Sequence, residues 1–297
     1  MNETLKAAVW MIGAIVSFTT MALAGREVAV ELDTFEIMFF RSCVGILVVV
    51  ILARLAGTWG QVNTQQMGLH AIRNVAHFTG QNLWFYALPL IPLAQVFALE
   101  FTTPIWVILL APLILRERLT AVGLIAAALG FVGVLMVARP GAAEISPGLM
   151  AAAGAAVGFA LTAIFTRKLT RTQTITCILF WLTVMQAVFG LVMAGYDGDI
   201  AVPTTNALPF VILIGFAGLL AHFCLTTALS LAPANIVMPI DFVRLPVIAF
   251  VGAYYYKEAL DPWVFIGAAV IFGANYLNIT YSQNAARNAA SANVSIK

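Results

Sequence analysis

Long apolar stretches alternate with short polar ones along the whole chain, each close to the length that crosses a bilayer. A helical span takes about 20 apolar residues. Ten stretches fit: 6–25, 35–54, 69–88, 92–115, 120–138, 147–166, 174–195, 207–229, 233–255 and 261–281. They are continuous and rich in Leu and Ala, which predicts helices and not the alternating strands of a barrel. Turn signals separate them at Pro89 and Pro92, Pro140-Gly141, Tyr196-Asp197-Gly198-Asp199, Pro233 and Asp261-Pro262. The residues from Ser282 to Lys297 read as a polar, mobile tail.

The pattern occurs twice. At an offset of 141 residues, Ala87, Leu88, Pro92, Phe101, Glu117 and Phe131 meet Ala228, Leu229, Pro233, Phe242, Glu258 and Phe272. Glu100 meets Asp241, and near the N-terminus Gly13, Phe18 and Arg26 meet Gly154, Phe159 and Arg167. A fixed offset means two copies of one unit. The copies divide the chain into 1–140 and 141–281, followed by the tail at 282–297. Lys6, an apolar run and Ala22-Leu23-Ala24 also resemble a signal peptide. The run matches its counterpart near Gly154, so a retained first span is the expectation.

Composition fixes the solvent. The chain is 62% hydrophobic and 9% charged, against about 25% charged in soluble domains. A net charge of +2 gives nucleic acid no electrostatic footing. Cys43, Cys177 and Cys224 are scattered in apolar runs, suiting neither a disulfide framework nor a zinc site. With the N-terminus cytoplasmic, ten of the 15 Lys and Arg fall on the inside. Only Arg26, Arg139 and Lys257 fall outside, while Arg41 and Arg244 lie within spans. The excess places both termini inside. Five spans per copy is odd, so the second copy enters the membrane the other way up, an arrangement used for alternating access. The expected fold is therefore an all-α membrane protein of ten transmembrane helices in two inverted five-helix repeats. Gly154 and Gly158 are spaced for close helix packing.

Arg41 in the second span, Tyr86-Ala87-Leu88, Pro92-Leu93-Ala94, Pro104 and Leu115-Arg116-Glu117-Arg118 recur in part as Ala228-Leu229, Pro233-Ala234, Pro246 and Lys257-Glu258. This order resembles the EamA-type branch of the drug/metabolite transporter superfamily, over nearly the whole chain. The phrase from Pro239 to Pro246 is similar to a proteobacterial subgroup that carries metabolites such as S-adenosylmethionine or riboflavin. The resemblance implies ten helices, movement of small metabolites without ATP, and a cavity lined by spans one, three, four, six, eight and nine. Ala259 stands where the first copy has Arg118, so the two loops differ.

Charges inside a span face protein or a wet cavity. Glu36 and Arg41 lie toward an interface, where pairing or snorkelling accounts for them. Glu100 and Asp241 each lie eight residues into their spans, ~12 Å deep. Entering from opposite sides, they would flank the midplane ~6 Å apart along the normal, as a site for a substrate amine, a cation or a coupling proton. Alternatively each is a buried, hydrogen-bonded structural group. Arg244 shares a face with Asp241, either as a local ion pair or as an anchor for a substrate carboxylate or phosphate. Its counterpart is Thr103, so it breaks the symmetry. His77, Gln81 and Trp84 form a stripe on the third span, with Arg73 one turn earlier, and His222 and Thr226 share a face of the eighth. These histidines either relay protons or pack.

No Gly-xxxx-Gly-Lys phosphate loop, His-Glu-x-x-His or Gly-x-Ser-x-Gly occurs. No cofactor or metal is expected. The reading is an inner-membrane secondary transporter of a small polar or zwitterionic metabolite. Its substrate site comprises Glu100, Asp241, Arg244, His77, Gln81, Trp84 and His222, and its coupling ion sits at Glu100 and Asp241. Its partners are the metabolite and the lipid bilayer. A membrane enzyme on a lipid-linked substrate and a non-transporting scaffold or sensor are the alternatives.

Overall fold

A computed structural model of the chain describes residues 3–115, 120–139, 145–196, 198–232, 237 and 240–294. The basic run at 116–118 and the turn signals Pro140-Gly141, Asp197 and Pro233 lie outside these residues. The first copy supplies α1 (Glu3–Val28), α2 (Thr34–Leu55), α3 (Met67–Ala87), α4 (Leu93–Glu100), α5 (Thr103–Leu115) and α6 (Ala121–Ala138). The second supplies α7 (Pro147–Leu169), α8 (Ile175–Ala194), α9 (Leu208–Leu231), α10 (Arg244–Tyr255) and α11 (Pro262–Val294). The starts of α8, α9, α10 and α11 fall 141 residues after those of α2, α3, α5 and α6.

Local chemistry explains the shared starts. Asp33 accepts from the Glu36 amide and Glu36 returns the bond to the Asp33 amide, a capping box that opens α2. Its counterpart Thr174 accepts from the Cys177 amide and opens α8. Thr120 caps α6 through the Gly123 amide, and its counterpart Asp261 accepts from the Trp263 amide. Cap oxygens of different chemistry thus do the same work in both copies. The last helix continues through 282–294, where composition reads as a tail. Alanine, glutamine and arginine there favour helix despite their polarity.

Eight helical segments among the described residues are long and apolar enough to cross a membrane. They are α1, α2, the α4–α5 pair, α6, α7, α8, α9 and α11. Helix α3 falls outside that set because its buried face carries His70, Arg73, Asn74, His77, Gln81 and Asn82. Outward-facing apolar side chains such as Leu113 (78% exposed), Phe250 (67%) and Leu47 (64%) suit lipid as the solvent.

Helix pairing respects the repeat. Helix α1 lies along α9 and its counterpart α7 lies along α3; α2 pairs with its own counterpart α8, and α6 with α11. The α3–α7 seam depends on bare backbone. A Cβ on Gly158 would stand 2.7 Å from the Gly80 Cα and 2.9 Å from its nitrogen. Neither atom can turn aside, so the helices would have to separate. Gly158→Ala is therefore expected to lose about 1–3 kcal/mol, read as a lower unfolding temperature in detergent. An unchanged temperature would contradict this seam.

Candidate functional site

The fourth span is not one helix. Pro104 has no amide hydrogen to offer the Glu100 carbonyl, and the chain turns at Phe101-Thr102 between α4 and α5. The Thr103 hydroxyl donates to the freed Glu100 carbonyl at 2.7 Å, and Asn275 donates to the Phe101 carbonyl at 2.9 Å. In the second copy Pro246 stands one residue further along, where it has no amide hydrogen to offer the Phe242 carbonyl, and the backbone turns at Phe242-Val243 before α10 is established. Each break thus follows directly on a carboxylate, Glu100 or Asp241. The two breaks face each other: Phe101 and Phe242, which occupy matching repeat positions, stack with centroids 4.2 Å apart.

Arg244 closes this centre. One guanidinium nitrogen donates to Glu100 at 3.1 Å and to Asp241 at 3.2 Å. Trp84 donates to the other Glu100 oxygen at 2.9 Å. The guanidinium carbon lies 4.6 Å from the Phe18 ring centre, 5.0 Å from Phe97 and 4.9 Å from Phe101. Arg244 is 3% exposed and Asp241 7%. The expected carboxylate pair and arginine therefore meet, joined to one another. Among the described residues two carboxylates share one cation, and Asp241 Oδ1 is buried without a partner.

The histidines lie elsewhere. A cavity of about 210 Å³ opens between α2, α3, α7, α8 and α9, lined by His77, His222, Arg41 and Arg73 among others. It extends to Thr170 and Ile175, which are exposed at the Arg73 end of the bundle. Phe18 separates it from the ion cluster, touching His222 edge-on at 5.6 Å on one side and Arg244 on the other. Gln81 is outside the lining and accepts a hydrogen bond from Arg41. The lining includes the second and seventh spans, which family resemblance did not imply, and none of it comes from α1.

Sequence reasoning missed Arg41 as a cavity residue. Its depth in α2 suggested an interface, but the side chain turns inward to Gln81. Arg73 likewise bends inward, donating to Thr166 at 3.1 Å and Asn74 at 2.9 Å. Glu36 is structural as expected, since it caps α2 and accepts from the Ala201 amide. Among the described residues, no group of three His, Cys, Asp or Glu side chains could hold a metal ion.

The opposite end is tied shut. Arg26, at the end of α1, pairs with Glu258 and donates to the Leu88 and Ile91 carbonyls at 2.6 Å each. Glu258 also accepts from the Leu93 amide at 3.0 Å, satisfying the start of α4. Tyr256 donates to Glu27 at 2.6 Å. Burial first, then Glu27, pushes the Tyr256 phenol well above its usual range, so it remains a donor. Arg139 pairs with Asp261 at the same end.

Comparison with known proteins bears on what such a bundle is for. An S-adenosylmethionine uptake transporter of Rickettsia conorii is 25% identical over 293 residues, covering 97% of this chain and 98% of that one. A riboflavin transporter of Brucella anthropi is 31% identical over 232 residues, covering 77% and 82%. A solved crystal structure at 18% identity superposes with a TM-score of 0.64, covering 94% and 98%, and supports the fold. These relatives bear the names of transporters, not enzymes, which removes the enzyme alternative. The model of the EamA-like transporter family fits twice, at 5–139 and 146–280, in step with the repeat, and the chain is a multi-pass membrane protein belonging to that family.

Proposed function

We propose that the chain is a secondary active transporter that moves a small polar or zwitterionic metabolite across the inner membrane by alternating access. The observation that carries this reading is the pair of helix breaks. They stand at matching repeat positions, face each other through Phe101 and Phe242, and each follows a buried carboxylate. Broken helices meeting at a repeat interface are where inverted-repeat transporters hold substrate and coupling ion. Ten spans in two inverted halves, 1–140 and 141–281, with both termini cytoplasmic, put the Arg73 end inside. The cavity then opens to the cytoplasm while the Arg26 cluster closes the outer face. The relatives' substrates suggest a vitamin-like, S-adenosylmethionine-like or amino-acid-like compound for this chain.

Glu100 and Asp241 carry the coupling proton, since among the described residues their second negative charge has no cation of its own. Protonation loosens Arg244, which can then meet the anionic part of the substrate. His77, Gln81, Trp84 and His222 shape the path between cavity and cluster. The test is uptake into proteoliposomes of labelled amino acids, nucleosides and vitamins, with and without a pH gradient. Wild type is expected to show saturable, gradient-driven movement. Glu100→Gln and Asp241→Asn, each leaving Arg244 one carboxylate, should lose the gradient-driven component. Undiminished driving in both variants would discard the carboxylates as the coupling site, and no movement of any compound by folded protein would discard the transporter reading.

A further inference from the structure

The ionic groups that line the cavity are all guanidinium cations, beside neutral hydroxyls and the Gln186 amide. Arg41, Arg73, His77 and His222 line it together with several hydroxyls, and no Asp or Glu does. Among the described residues, no carboxylate lies within ion-pairing distance of Arg41 or Arg73. Arg41 is held by the Gln81 amide oxygen and the Met38 sulfur, and Arg73 by Thr166 and Asn74, all uncharged. The nearby carboxylates stand beyond Phe18 and are taken by Arg244.

Two guanidinium ions facing a confined space without a counter-charge are expensive to bury. Each is oriented by neutral acceptors, which leave its charge uncompensated. His77 adds a ring that is 5% exposed, with Nδ1 buried and unpartnered. The other walls are apolar, including Ile178, Leu179, Leu182 and Leu219. This is the chemistry of a site for an oxyanion on a compact apolar body.

We propose that this cavity recognises its substrate through a carboxylate or phosphate group held by Arg41 and Arg73, so that the transported compound carries an anionic group. This deepens the transporter reading and rests on it. Guanidinium forks fit both groups in two-pronged fashion. His77 and His222 supply the further polar contacts, and the leucine wall takes the body. A compound whose only charge is positive meets two guanidinium ions and no carboxylate in the lining. The small volume selects compact molecules or one end of a longer one.

Purified full-length protein is titrated with succinate, its neutral analogue succinamide, glycerol 3-phosphate, glycerol and choline, following the unfolding temperature and binding heat. At least one of the two anions should bind saturably, and its neutral partner and choline about tenfold or more weaker. Binding of succinate alone assigns a carboxylate, and of glycerol 3-phosphate alone a phosphate. Arg41→Gln should weaken the anion about tenfold or more, while Arg41→Lys, which keeps the charge without the fork, should retain part of the affinity. Wild-type selectivity needs no variant, so a misfolded Arg41→Gln would not obscure the answer. Equal binding of neutral or cationic compounds, no binding of either anion, or wild-type anion affinity in Arg41→Gln would each overturn the assignment. Proteoliposome uptake of a neutral or cationic compound unaffected by succinate would sink this inference and leave the transporter standing. Selective anion binding with no transport of any compound would do the reverse.

Discussion

Arg244→Met is expected to destabilise the folded protein by about 3–5 kcal/mol, the largest loss of any single substitution considered. The reason lies in what remains. Arg244 is the cation shared by Glu100 and Asp241, at 3.1 and 3.2 Å. Methionine is of similar length and can sit among Phe18, Phe97 and Phe101, so packing is largely kept. Among the described residues the carboxylates lose their one charged partner, and Asp241 already has one buried oxygen without a hydrogen bond. Trp84 still donates to Glu100, which tempers the loss on that side. The triple variant Arg244→Met/Glu100→Gln/Asp241→Asn leaves no charge in this cluster, and most of the stability should return. Unfolding in detergent of the single and triple variants decides the matter. Equal stability of the two would mean that the cluster is not held by its charges.

The repeat made much of this architecture legible, but one-dimensional signals stopped at the third dimension. The 141-residue offset located helix starts and paired Glu100 with Asp241 before any coordinates. Pro104 and Pro246 were visible too, one residue out of register in the two copies, yet the stretch 92–115 read as continuous because hydropathy does not register a missing amide hydrogen. The break at Phe101-Thr102 follows from Pro104 and from Thr103 and Asn275, which satisfy the exposed carbonyls. The role of Arg41 was hidden for another reason. Depth along a helix says nothing of which neighbour the side chain faces, and Gln81 and the cavity lie on the side that Arg41 chose. His77 and His222 were found as polar residues in apolar runs, but their shared cavity depends on α3 and α9 meeting around α2, α7 and α8. Arg26 and Glu258 were legible only as a loop charge and a repeat position. Their pairing spans 232 residues and no local signal records it.

That pairing leads to the second large effect. Arg26→Gln is expected to open the Arg26 end of the bundle. Arg26 joins α1 to Glu258 and to the carbonyls of Leu88 and Ile91, while Glu258 holds the first amide of α4. The segment from Leu88 to Leu93 carries the chain from α3 to α4, so one guanidinium fastens three parts of the closed end. Each charge-assisted bond contributes about 1.5–3 kcal/mol, and a glutamine replaces at most one of them. If the two ends alternate, the loss of two such bonds moves the equilibrium toward the state open at the Arg26 end by about a hundredfold or more, since about 1.4 kcal/mol is worth a factor of ten. The check uses Ser42→Cys, on the cavity wall, in a chain whose Cys43, Cys177 and Cys224 are replaced by serine or alanine. An impermeant maleimide is applied to either face of oriented vesicles. Without the Arg26 change, labelling should come from the Arg73 end; with it, labelling from the Arg26 end should rise by the same hundredfold. Glu258→Gln should act in the same direction and more weakly, because its one amide oxygen can still accept from the Leu93 amide or from Arg26, and Arg26 keeps the Leu88 and Ile91 carbonyls. Unchanged labelling from the Arg26 end, in protein that remains folded, would show that this cluster only braces the bundle and that access is controlled elsewhere.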